Sequence, residues 1–261
     1  MTPRIIVECS TNHGGNMDYA EAMIDQAVSA GADTVKFQSY RTTHLSPNDP
    51  QYAWLREAEL SDRSHEWLVQ TCADAGIGFL TTVFHEAEVP FLASLGLREI
   101  KIGSGEAMRK PLLEAVAAHP WDVIVSCGLA TFAEIAAAMD VLEDRRVTLL
   151  HCSSVYPTLL RDAGLWNIPD LEGHCPWRVG YSDHTIGITA PLMAMEYGAD
   201  VVEVHMAGPA RTQPWDKTPA QVAEIVAWAK HRDEALRVPP TRLDGEKRPY
   251  VGRWAYGEGG G

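Results

Sequence analysis

A chain of 261 residues and 28.7 kDa has room for one large domain, and a closed barrel of eight β/α units needs about 250 residues. Hydrophobic residues at 46% and charged ones at 22% supply a full core and exclude a disordered chain. The net charge of −13 argues against nucleic acid, the absence of any long apolar run argues against a membrane span, and five scattered cysteines without a C-x-x-C pair argue against disulfide and zinc-knuckle frameworks.

From the N-terminus, short apolar runs of strand length alternate with segments of helical period. The opening MTPRIIVECS enters a strand without the apolar region of a signal peptide, so a cytoplasmic protein is expected. Strands are predicted over residues 5–8, 34–38, 78–81, 99–102, 122–126, 147–151, 178–181 and 201–205. Helices are predicted over 18–30 (stopped by Gly31), 62–75 (stopped by Gly76), 86–95, 110–119, 131–142, 188–197 and 218–234. A long connection follows the second strand, and the stretch after the sixth is poorly patterned. Eight alternating units imply a parallel sheet closed into a (β/α)8 TIM barrel, with a doubly wound sheet as the rival. The domain is expected over residues 1–236, followed by a Pro-, Arg- and Gly-rich tail over 237–261.

Barrel enzymes carry their chemistry at the C-terminal strand ends, and here every one of these ends is polar. In chain order they bring Glu8; Lys36 and Gln38; Thr82; Lys101, Ser104 and Glu106; Ser126; Ser154 and Tyr156; Ser182 and His184; and His205. Lys36 and Lys101 are two of six lysines and lie in apolar strands, where burial demands an anion or carboxylate partner. Ser104, Ser126 and Ser182 either cap helices or join the Gly103 and Gly105 amides around an anion. His184 and His205 are either core residues or, with Glu8 opposite, an open metal site. Cys127 and Cys152 read as packing residues.

The ordered strings VECSTNHGG, GADTVKFQSY, FLTTVF, IKIGSGE, VSCGLAT, LLHCSSVYP, GYSDHTIG and VEVHM resemble the motifs of the N-acetylneuraminate (sialic acid) synthase family over residues 4–235. The resemblance implies a metal-dependent condensation of phosphoenolpyruvate with an aldehyde, sugar or sugar-like, giving a 2-keto-3-deoxy acid and phosphate. It implies that Lys36, Thr82, Lys101, Ser104, Ser126 and Ser182 hold phosphoenolpyruvate. His184 and His205 would ligate a divalent ion, usually manganese, with magnesium or cobalt as substitutes. Glu8 and Glu106 would be mouth carboxylates, and Gln38, Ser154, Tyr156 and Asp216 would face the acceptor. A homodimer is the expected assembly.

Val83, Cys127, Ser154 (where the family often has Asn or Glu) and the Cys9–Ser10 pair depart from the family pattern, as does the segment 206–216. No counterpart of the family's C-terminal antifreeze-like domain is expected after the barrel. These departures spare the phosphoenolpyruvate half and disturb the acceptor half, so the expected acceptor differs from N-acetylmannosamine. Arg242, Arg248, Tyr250, Arg253 and Trp254 are either a frayed terminus or a cover for a polar ligand. Two rivals remain: an aldolase with Lys101 as its Schiff-base lysine, and a non-catalytic phosphoenolpyruvate-binding protein.

Overall fold

The computed structural model describes residues 2–142 and 146–237. Its strands are β1 (Arg4–Glu8), β2 (Thr34–Ser39), β3 (Gly78–Val83), β4 (Glu99–Ile102), β5 (Asp122–Ser126), β6 (Val147–His151), β7 (Arg178–Asp183) and β8 (Val201–His205). Each is parallel to the next, and β8 returns to β1 to close the barrel, as predicted. The helices are α1 (Met17–Ser29), α2 (Tyr52–Ala58), α3 (Asp62–Ala75), α4 (Val89–Ser94), α5 (Lys110–Ala117), α6 (Phe132–Val141), α7 (Asn167–His174), α8 (Thr189–Glu196) and α9 (Pro219–Arg237). Among the described residues, no helix is long and apolar enough to cross a membrane.

Local chemistry starts and stops these elements. Asn16 caps α1 by accepting the N–H groups of Asp18 and Tyr19, Ser61 caps α3, and Gly76 ends it at φ 71°. Thr131 and Glu134 form a reciprocal capping box at α6. The helix predicted over 86–95 is two elements: a 3-10 turn (Glu86–Glu88), capped by the ring of His85, and then α4. The long connection after β2 contains a 3-10 turn (Thr42–His44) and α2. The stretch left without a pattern after β6 contains α7. The last helix, predicted over 218–234, runs from Pro219 to Arg237, and the five tail residues named above lie outside the described residues.

Alternation along each strand sorts side chains into the barrel or onto the helices. Val7, Val35, Phe37, Val123, Val125 and Val204 join the continuous outer core. Ile6, Leu80, Ile124, Leu150 and Val201 form a separate inner cluster. Two residues further along the same strands come Glu8, Thr82, Ser126, Cys152 and Glu203, so an apolar floor carries a polar mouth. Gly180 completes that floor: a Cβ there would lie 2.4 Å from the Val201 carbonyl oxygen and 2.6 Å from Leu150.

Candidate active site

The mouth encloses a cavity of about 350 Å³. Every site residue expected from the sequence lines it except Asp216, which lies in an adjoining cavity of about 300 Å³ that shares Gln38, Tyr156 and His205 with the first.

At its base stands a set of buried charges. Lys36 donates to Thr82 Oγ1 at 2.8 Å, is ion-paired with Glu8, and lies 3.6 Å from Glu203 Oε1. Lys101 donates to Ser126 Oγ at 2.7 Å and lies 3.8 Å from Glu203 Oε2. Glu203 accepts a further bond from Ser182 Oγ at 3.0 Å. The expected partners of both lysines are thus carboxylates, with hydroxyls alongside.

Burial and charge compete at each group. Burial alone would raise the Glu203 carboxyl, but Lys101 and Lys36 outweigh it and bring its pKa down to about 2. Burial likewise opposes charge on Lys36, yet Glu203 and Glu8 hold that ammonium above its ordinary value. At Lys101 burial prevails and the pKa falls. Burial also raises Glu8, against the pull of Lys36. Glu203 is therefore the fixed anion, while Glu8 sits closer to exchanging a proton.

None of the three serines caps a helix. Ser104 Oγ accepts the Gly128 N–H at 3.1 Å and touches Cys152 Sγ at 3.1 Å. Glu106 is raised by burial, and a Cβ on Gly103 would come within 2.8 Å of its Oε2, so glycine makes room for this carboxylate. Burial pushes Cys127 up to about 12, and its thiol donates to the Leu150 carbonyl, in keeping with a packing role.

His184 and His205 meet with ring centroids 5.3 Å apart. His184 Nδ1 lies 2.6 Å from the Ser153 carbonyl oxygen, which can only accept, so the proton sits on Nδ1 and Nε2 keeps its lone pair. Burial lowers both histidines, His205 well below its ordinary value, and leaves two neutral imidazoles facing one cavity. That donor set fits a divalent ion with positions left for substrate oxygens. Glu8 is not opposite this pair: β1 and β8 register Glu8 directly against His205, because closure of the barrel makes first and last strands neighbours.

Among the residues expected to face an acceptor, Gln38 Nε2 donates to Ser10 Oγ at 3.2 Å. The Tyr156 ring lies 3.9 Å from that of His184 and 5.3 Å from that of Trp215. Asp216 Oδ2 accepts from Asn12 Nδ2 at 3.0 Å and from the Gln213 N–H at 2.6 Å. Its buried Oδ1 has no hydrogen bond and lies 4.0 Å from His205 Nδ1. Burial raises its carboxyl.

Three residues that matter to this geometry escaped the sequence reading. Glu203 was accessible, since it precedes His205 by two residues and shares its face. Asn12 and Lys217 lie in loops where no period marks them. Lys217 is fully buried, pairs with Asp183 at 2.6 Å, and donates to the Thr185 and Trp215 carbonyls at 2.7 and 2.9 Å, binding the ends of β7 and β8 together.

Comparison with known proteins gives one consistent result. The model of the NeuB family matches residues 23–224. The chain is 32% identical to the N,N'-diacetyllegionaminic acid synthase of Legionella pneumophila, over 95% of this chain and 76% of that protein. It is 34% identical to the Campylobacter jejuni synthase of the same name, over 77% of this chain and 66% of that one. Among solved structures, an N-acetylneuraminic acid synthetase from Leptospira borgpetersenii in complex with citrate superposes with a TM-score of 0.87 at 30% identity, covering 94% of this chain and 88% of its own.

Proposed function

The chain belongs to the NeuB family, and on that premise we propose that it condenses phosphoenolpyruvate with an aldehyde acceptor, sugar or sugar-like, giving a 2-keto-3-deoxy acid and phosphate. The observation that carries the reading is the pair of buried lysines at the mouth, each with a hydroxyl at hydrogen-bond distance. Phosphoenolpyruvate is a compact trianion. Lys36 and Lys101, with Thr82, Ser104, Ser126 and Ser182, offer it charge-assisted hydrogen bonds worth about 1.5–3 kcal/mol each.

With the substrate held there, its C3 attacks the aldehyde carbon, the aldehyde oxygen takes up a proton to become a hydroxyl, and C2 becomes cationic. Water adds at C2 and gives up a proton, replacing the one taken; the C2–O bond to phosphate then breaks as the keto group forms, and the remaining hydroxyl proton leaves with phosphate. Glu8 and Glu106, both raised by burial, take the proton of that water and stabilise the cationic centre. Gln38, Ser154, Tyr156 and Asp216 orient the acceptor. A divalent ion on His184 and His205, manganese with magnesium or cobalt as substitutes, supplies Lewis-acid polarisation of the aldehyde oxygen. The acceptor we expect is not N-acetylmannosamine but a differently shaped aldehyde, because Ser154 and the segment 206–216 depart from the family pattern.

Phosphate release tests this, measured with phosphoenolpyruvate, manganese and a panel of aldehydes that includes amino-sugar and nucleoside aldehydes. We expect aldehyde-dependent release with at least one acceptor, lost on chelation and reduced by orders of magnitude in His205→Ala. Full activity of His205→Ala in chelator would sink the metal assignment. One observation favours a second reading: burial lowers the Lys101 ammonium, as a Schiff-base lysine requires. Borohydride trapping of substrate on Lys101 would establish that aldolase instead.

A further inference from the structure

Outside the reaction cavity, the 3-10 turns that follow β2 and β3 bring His44, His85 and Glu88 together. Among the described residues this is the one set of three or more His, Cys, Asp or Glu groups whose ligand atoms all lie within 4.8 Å of one another. The two imidazoles stack with centroids 3.9 Å apart and planes 23° apart. His44 Nδ1 lies 3.2 Å from Glu88 Oε1. His85 Nδ1 accepts the Ala87 N–H at 3.1 Å, so this nitrogen carries a lone pair. Glu88, the last residue of its 3-10 turn, is buried, and its Oε2 is out of solvent without a hydrogen-bond partner. A buried carboxylate oxygen without a partner is costly, and this carboxylate belongs to a cluster with two imidazoles whose ligand atoms lie within 4.8 Å of one another.

We propose that His44, His85 and Glu88 bind one divalent cation of the zinc class, at a site separate from His184 and His205. Two imidazoles and one carboxylate favour zinc, nickel or copper over magnesium and calcium, which take oxygen-rich sets. Three protein ligands leave a coordination position for water. The two histidine side chains are 33% and 26% exposed, which gives the ion a path in from solvent. Coordination exchanges the Ala87 bond and the His44–Glu88 contact for metal bonds, and Glu88 Oε2 gains a cation beside it.

The consequence is a clasp between two loops. The turn holding His44 opens the connection that carries Gln51 and Leu55, and both line the smaller cavity beside Asp216. An ion on His44, His85 and Glu88 would fix the start of that connection to the start of α4.

The test uses the full chain, stripped of metal and titrated with zinc chloride against a chromophoric chelator. Alongside the wild type stand His44→Ala, His85→Ala, Glu88→Gln and the double variant His184→Ala/His205→Ala, each checked for fold by circular dichroism. We expect the double variant to bind one zinc ion and to gain thermal stability from it. Each variant at His44, His85 or Glu88 should bind one ion fewer than the wild type. The proposal is overturned if the double variant takes up no zinc, or if His44→Ala and His85→Ala bind as many ions as the wild type.

Discussion

Glu203 answers two lysines at once: 3.6 Å from Lys36 and 3.8 Å from Lys101, it is the shared counter-charge of the mouth. Glu203→Gln keeps the shape and removes the charge, leaving two buried ammonium groups with Glu8 as their remaining close carboxylate. Breaking a buried pair in this way costs about 3–5 kcal/mol, which denaturant unfolding at neutral pH should register. The acid limb carries a second signature. The Glu203 pKa is about 2 in the folded chain, against an ordinary 4.5, so the unfolded chain takes up this proton first as pH falls. Its stabilisation is complete above about 4.5 and is lost as pH drops through about 2. Glu8 is shifted the other way: its contribution is complete below the ordinary value and fades as pH rises through the raised one. Melting temperatures across the acid range should therefore show Glu203→Gln flattening the low-pH loss and Glu8→Gln abolishing the decline on the other side.

Between elements, a close backbone approach near the site joins the loop after β1 to α2. Gly15 has φ 76°, and a Cβ there would lie 2.2 Å from the Glu57 carbonyl oxygen, so only glycine allows this approach. Gly15→Ala adds left-handed strain of about 1–2 kcal/mol and pushes α2 away. Since α2 brings Leu55 to the smaller cavity, we expect KM for the aldehyde to rise while phosphoenolpyruvate affinity, read by calorimetry, stays unchanged. Elements such as α2 also mark where the sequence stops being legible. β4, β5, β6 and β8 coincide with their predicted ranges, because apolar runs end in polar or turn residues. Missed helices lack such signals: α2 has 7 residues and no side-chain cap, and α7 contains Pro169 and Gly173 and is held by the buried Ile168 and Leu171. Pro90 and the cap from His85 divide what periodicity reads as one helix. The polar strand ends, by contrast, expose most of the cavity lining to reading by position alone. Glu203 is passed over when only the strand ends are read, although it stands two residues before His205 on the same face.

For the whole molecule, the groups that line the mouth come from all eight strands and their loops, spread from Glu8 to Asp216. No contiguous part of the chain holds the cavity by itself. The fragment 1–200 tests how far that dependence reaches: it keeps both lysines and lacks β8. We expect it to bind apolar dyes and to melt without a cooperative transition, whereas a sharp transition would show that seven strands suffice. The seam between β1 and β8 has a further meaning for the order in which the protein is made. Synthesis delivers Lys36 early and Lys101 midway, while Glu203 emerges with the final strand. Until that strand docks, two ammonium groups destined for the interior lack their main counter-charge, and an earlier collapse would trap them there. Closing the ring and neutralising its mouth are thus coupled: the strand that completes the barrel is also the one that brings Glu203 to both lysines.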